Sequence, residues 1–377
     1  MSRHKKDSSP LDEPTVRAAV ASARRVVVKV GSSSLASAQG GLDGAALEAL
    51  VEALAAERLR GREIVLVTSG AIAAGCEPLG MTRRPTDLAQ QQAAAAVGQG
   101  LLIARYTQAF ARHGITVAQV LVTVADIARR SSYTNALRTF GALTRLGVTP
   151  IVNENDTVAT REIRFGDNDR LAALVAELVR AGALVLLSDV DALYTAHPDQ
   201  PGAAKVSFVS RADDIEADVT QRGDAGVGSG GMASKIEAAR MAAAAGIPVV
   251  VTSRDQVAAA LGGGPVGTAF APSHQSRSRR LHWLADASVA QGRLMVDDGA
   301  VRALTTTAAS LLAAGVVGVD GPFQAGDPVE VAGLDGVVVA RGLVAFGSDE
   351  LSQRLGEHFG REVIHRDDMV LVRKAAR

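Results

Sequence analysis

The feature that most constrains this chain is an alternation, from Arg25 onward, of short β-branched runs with Ala-rich stretches of helical length. Strands separated by connections of that length cannot pair as tight hairpins; they run parallel, joined by crossovers that lay helices on both faces of the sheet. VVVKV (Val26 to Val30) reads as the first buried strand, and Asp43 can cap a helix that stops near Gly61. EIVLVTSG (Glu63 to Gly70) repeats the unit, followed by the short helical run AIAAG. A long Ala/Gln-rich helix is predicted from about Pro85 to Gly114, and ITVAQVLV, VTPIVNEND, ALVLLSD and IPVVVTS supply further strands. Continuous apolar runs such as LVLL require cover on both sides. The expectation is a three-layer αβα domain with an open, mostly parallel sheet over residues 25–275.

A chain of 377 residues has room for two folded units. The segment from Ala271 to Arg280 is polar and Arg-rich, so residues 276–288 are expected as a linker. Short Gly-punctuated strands then follow (VVGVDG, DPVEVAG, DGVVVARGLVAF), which suggests a small β-rich module with one or two helices over residues 289–373. Residues 1–24 carry neither pattern and are expected as a flexible tail.

Composition narrows the function. Lys+Arg and Asp+Glu both number 40, so no general cationic field draws in nucleic acid or anionic lipid. Aromatic residues are 3%, leaving few platforms on which bases could stack. Arg341, Arg354 and Arg361 are balanced by Asp327, Glu330, Asp349 and Glu350, which speaks against an RNA-binding stripe in the second module. No long apolar run suggests a signal peptide or membrane span, and a single cysteine, Cys76, fits a reducing cytoplasmic compartment. The seven histidines are scattered, so zinc has little support.

In open parallel sheets, ligands bind beyond the carboxyl ends of the strands. The residues just after the predicted strands are Lys29 to Ser34, Thr68-Ser69-Gly70-Ala71, Asn153 to Asp156, Gly166 to Asp169, and Ser188-Asp189. All are small, polar or charged, and all are expected to face one crevice. Lys29 lies inside an apolar strand, where its ammonium needs an anionic partner; the alternative is an edge-strand lysine whose head reaches solvent. The run Gly226 to Lys235 opens a helix, and its glycines, free N–H groups and Lys235 suit a phosphate, unless it is only a flexible loop. It follows an acidic stretch rather than a strand and lacks the Gly-Lys pair, so neither a dinucleotide fingerprint nor a Walker A loop fits. Asp156, Asp167 and Asp169 are candidates to hold Mg²⁺ together with nucleotide phosphates, and Cys76 reads as a packed thiol.

Taken in order, VVKVGSSSL, IVLVTSGAIAAG, VNENDTVA, FGDNDRLAALVA, LLSDVDALYT and GSGGMASKIEAARMA resemble the glutamate 5-kinase branch of the amino-acid kinase family. Gly321 to Asp327 and the closing HRDDMV resemble a PUA domain. The resemblance implies ATP-dependent phosphorylation of the side-chain carboxylate of L-glutamate, with Mg²⁺, as the first step of proline synthesis. It implies catalytic roles for Lys29, Lys235 and Asp169, the aspartate holding both lysines. Substrate binding is implied for Ser69, Gly70, Ala71, Asn153, Asp156 and Asn168. ATP binding is implied for Lys29, Ser188, Asp189, Ser229, Gly230, Gly231, Met232, Ala233, Ser234 and Lys235. Ser188 and Ser229 stand where the family often has Thr, which keeps the hydroxyl; His197 replaces a usual Asp and bears on ATP affinity. Inhibition by proline, a homo-oligomer (dimer or tetramer) and hand-off of the product to glutamyl phosphate reductase are further expectations of the resemblance.

Overall fold

In a computed structural model, the described residues are 11–35, 41–128, 130–158, 167–196, 200–211, 231–273, 290–307, 309–353, 355 and 362–372. The chain forms two compact units, one made of Met1–Thr123 and Leu137–Ser276, the other of Val124–Ala136 and Arg277–Arg377.

The first unit is built on strands β1 (Arg25–Val30), β2 (Glu63–Thr68), β3 (Val117–Val122), β4 (Thr149–Glu154), β5 (Ala183–Ser188), β6 (Leu193–Tyr194), β7 (Lys205–Val206), β8 (Phe208–Val209), β9 (Val249–Ser253) and β10 (Thr268–Phe270). Eight of them form one sheet in the order β3-β4-β2-β1-β5-β9-β10-β8, while β6 and β7 pair separately. Every pairing of β1, β2, β3, β4, β5 and β9 with one another is parallel, and β10 runs antiparallel to β9. From β1 the chain moves first to β2 and later to β5 on the other side, so the strand order reverses at β1.

Helices α1 (Glu13–Ser22), α2 (Gly44–Leu59), α3 (Ala71–Cys76), α4 (Leu88–Ala111), α7 (Asp167–Leu178), α8 (Met232–Ala244) and α9 (Val257–Leu261) intervene, while α5 (Val124–Ala128) and the start of α6 (Arg130–Arg145) belong to the second unit. Asp43 caps α2 by accepting from the amide of Ala46, and Asp87 caps α4 in the same way. The period of two along β1 decides which layer each side chain joins. Val26, Val28 and Val30 belong to the core with Leu47, Leu50, Leu54, Leu102, Tyr106 and Phe110 from α2 and α4. Lys29 shares the other face with Val27, toward α7.

Part of the segment expected as a tail is helical. Asp12 caps α1 by accepting from the Thr15 amide, a proline sits in the first turn, and Val16 and Val20 fall one turn apart on the buried side.

The second unit carries a five-stranded sheet of Val316–Asp320, Gly292–Val296, Pro328–Gly333, Val338–Leu343 and Met369–Leu371, in that spatial order. Leu294, Val296, Val329, Val331, Phe346 and Ile364 are among its core residues. Among the described residues, no helix is long and apolar enough to cross a membrane.

Candidate active site

β1 is a central strand, so Lys29 is not an edge lysine: it lies opposite Val67 of β2 and Leu186 of β5. Its side chain emerges beneath the start of α7, where Asp169 is 1% exposed. Lys29 Nζ stands 2.5 Å from Asp169 Oδ1. Lys235, in the first turn of α8, places Nζ 3.3 Å from the other oxygen, Oδ2. The Ser234 hydroxyl also contacts Oδ2, at 2.7 Å. One carboxylate from α7 thus sits between an ammonium from β1 and one from α8.

The energetics of this cluster follow from its burial. Burial and the Lys235 charge pull the Lys29 ammonium below its ordinary value, against the attraction of Asp169 and Asp189. Burial would raise Asp169, but Lys29 and Lys235, with hydrogen bonds from Lys29 and Ser234, hold its carboxyl below the usual range. Ionised groups removed from water in this way are tolerated only when paired.

Two neighbouring strand ends lie beside this cluster. Ser69 follows β2, and its Oγ accepts a hydrogen bond from Asn168 Nδ2 at 2.9 Å, which joins the β2 turn to α7. Gly70, the N-cap of α3, has φ of 106°, a left-handed conformation that glycine adopts without strain. Ala71 opens α3 and is buried. After β5, the Ser188 hydroxyl donates to Asp189 Oδ1 at 3.0 Å. Gly231, Met232 and Ala233 lie at the start of α8, with Gly231 as its N-cap. Asp156 lies half-buried in the turn after β4. Ser229, Gly230 and His197 fall outside the described residues, as does the side chain of Asp167.

Asn153 is the penultimate residue of β4. It is 2% exposed, its Oδ1 accepts from the Glu154 amide, and it lines a small pocket with Thr68, Gln99, Leu102, Tyr106 and Ile151, in the layer under α4.

Sequence reasoning missed the scaffold behind the acceptor side. Gln99 Nε2 donates to the Glu154 carbonyl at 3.2 Å, and Tyr106 hydroxyl meets Thr68 Oγ1 at 2.9 Å, so α4 holds the ends of β4 and β2. A Cβ on Gly98 would fall 1.7 Å from the Ala71 carbonyl, and one on Gly75 would fall 1.8 Å from that of Ala94. Only glycine lets α3 and α4 approach this closely. The signal was present as isolated glycines inside helical patterns.

The comparisons with known proteins give the family. The profile of the amino acid kinase family matches residues 24–253, and that of the PUA domain matches residues 292–366. A glutamate 5-kinase of Streptomyces coelicolor is 56% identical over 368 residues, covering 94% of this chain and 98% of the relative. That of Streptomyces avermitilis is 57% identical over 369 residues, again covering 94% and 98%. The chain belongs to the glutamate 5-kinase branch of the amino acid kinase family. Among solved structures, the carbamate kinase of Giardia lamblia aligns with 67% of this chain and 100% of that one, at 18% identity and a TM-score of 0.49.

Proposed function

We infer that this chain transfers the γ-phosphoryl group of ATP to the side-chain carboxylate of L-glutamate, giving L-glutamyl 5-phosphate in the first step of proline synthesis. The observation that carries this reading is Asp169 holding Lys29 and Lys235 at 2.5 and 3.3 Å, at the point where the strand order reverses. Phosphoryl transfer between two anions asks mainly for charge compensation and alignment. In this role Lys29 contacts the transferring group from below, Lys235 stabilises the nucleotide side, and Asp169 keeps both ammonium groups aimed. The α8 N-terminus adds amides and a partial positive charge beside the nucleotide phosphates, and Ser188 and Asp189 face it from β5.

On the acceptor side, Ser69, Asn153, Asn168 and the amides of Gly70 and Ala71 orient the glutamate, and Asp156 pairs with its α-ammonium. A carboxylate nucleophile is already ionised at neutral pH, so no general base is needed. Among the described residues no group of three or more metal-ligating side chains occurs. Asp169 is committed to the lysines and Ser234, so Mg²⁺ would be held chiefly by the triphosphate and water, adding positive charge at the phosphate oxygens.

The direct test is ATP-dependent acyl-hydroxamate formation with glutamate and hydroxylamine, run beside N-acetylglutamate, aspartate, carbamate and UMP. Glutamate alone should respond; silence with glutamate from folded protein would end this reading. Inhibition by proline is part of the proposal and would show as lost activity at low glutamate with millimolar-order proline. The acyl phosphate product can cyclise through its own amino group, which supports hand-off to a glutamyl phosphate reductase in the cytoplasm. A dimer or tetramer is the assembly we propose, to be read by light scattering.

A further inference from the structure

The helix α1 precedes the span matched by the kinase family, which begins at residue 24. It is nonetheless anchored by a buried arginine. Arg17 is 5% exposed and donates to four backbone carbonyls: from Nη1 to Val266 at 2.6 Å and Gly264 at 2.9 Å, and from Nη2 to Ser207 at 3.2 Å and Gly267 at 3.4 Å. Glu13, one turn earlier, pairs with Arg17 at 2.8 Å and accepts from the Ser207 hydroxyl at 2.9 Å. Arg62 closes the far end of the helix, donating to the carbonyls of Val20 at 2.6 Å and Ala23 at 3.0 Å.

The segments gripped by Arg17 lead to the nucleotide side. Ser207 lies between β7 and β8. Thr268, next to Gly267, accepts from the Leu193 amide at 2.8 Å and donates to the Val206 carbonyl at 2.6 Å, tying β10 to both strands of the β6–β7 hairpin. Within that hairpin, Tyr194 and Lys205 hold the two oxygens of Asp191 at 2.8 and 3.1 Å. Asp191 lies two residues after Asp189, whose charge acts on Lys29. Hydrogen bonds joined by short stretches of covalent chain therefore lead from α1 through Ser207 and Thr268 to Asp191, two residues beyond Asp189.

We propose that Arg17 is a positioning residue for the nucleotide half of the site: α1 acts as a clasp that fixes the β6–β7 hairpin, and through it the Ser188-Asp189 turn, for ATP. The assignment rests on the kinase reading for its substrate but is measured on nucleotide binding alone. A guanidinium is needed because only its planar fork can serve several carbonyls at once; an ammonium on a flexible stem cannot.

The test uses the full chain and MgADP titration by calorimetry, with kinetics beside it. Arg17→Met should weaken MgADP binding and raise the KM for ATP, each about three- to tenfold, with the KM for glutamate unchanged. Arg17→Lys should recover little. Thr268→Val, which cuts the link to the hairpin while leaving α1 seated, should shift MgADP affinity in the same direction. Unchanged MgADP affinity in folded Arg17→Met, or a rise in the glutamate KM alongside that of ATP, would overturn the proposal. Should Arg17→Met not fold, unchanged affinity in Thr268→Val overturns it instead. A wild-type chain that binds MgADP but phosphorylates no glutamate would sink the kinase reading while leaving this one to the titration.

Discussion

Lys29, in the central strand of the sheet, meets Asp169, in the first turn of α7, at 2.5 Å between Nζ and Oδ1, and both are at least nine-tenths buried. The same carboxylate reaches Lys235 with its second oxygen. Three elements far apart in sequence are thereby fixed to one another through a single side chain.

Asp169→Asn keeps the shape and removes the charge, leaving two buried ammonium groups without their anion. Breaking a buried pair costs about 3–5 kcal/mol of stability; with the two ammonium groups no longer aimed, kcat/KM in the hydroxamate assay of the folded variant should fall by about a hundredfold or more. A fall of less than tenfold would mean that the lysines are positioned by something else.

The pH profile should carry the signature of Lys29. Its folded value lies below the ordinary 10.5, so between that lowered value and 10.5 the unfolded chain binds more protons. Stability therefore rises with pH across that window while the Lys29 ammonium, proposed to contact the transferring group, is lost. The alkaline limb of kcat/KM is expected below 10.5, and bound phosphate should move the corresponding limb of kcat upward. On the acid side, Asp169 is held below the ordinary 3.8. Its contribution to stability is present above 3.8 and is lost as pH falls through the lowered value, which acid unfolding of wild type against Asp169→Asn would reveal.

Asn168→Ala removes the donor to Ser69 Oγ. The loss of one such hydrogen bond is worth about 1–2 kcal/mol, so the KM for glutamate should rise about five- to thirtyfold with the KM for ATP unmoved. Equal effects on both substrates would place Asn168 outside the acceptor side.

Gly98→Ala pushes a methyl group into the Ala71 carbonyl, whereas Gly100→Ala, on the same helix, meets nothing within 4 Å. The first should lower stability by about 1–3 kcal/mol or more, through separation of α3 from α4. The second should be neutral or stabilising by up to about 1 kcal/mol, because alanine is the better helix former. Thermal unfolding of the two variants side by side distinguishes close helix packing from a general intolerance of α4.

Much of the first unit was legible because local rules and tertiary demands coincide there. The β-branched runs at Val26, Ile64 and Leu184 became neighbouring strands, and Asp43 became a cap. The tail expectation failed from residue 13 because α1 is short and weakly patterned. Its place is set by Arg17 and Arg62, whose partners are backbone carbonyls with no sequence signature.

What the sequence determined by itself is the parallel layered architecture and the kinds of residue that crowd the strand ends, since both follow from period, propensity and charge along the chain. Only the tertiary structure decided that Lys29 and Lys235 share Asp169, that α3 and α4 touch through Gly75 and Gly98, and that α1 is bound in place. These depend on strand order and on distances between segments remote in sequence, and buried charge tolerates only the one arrangement in which every ion finds its partner.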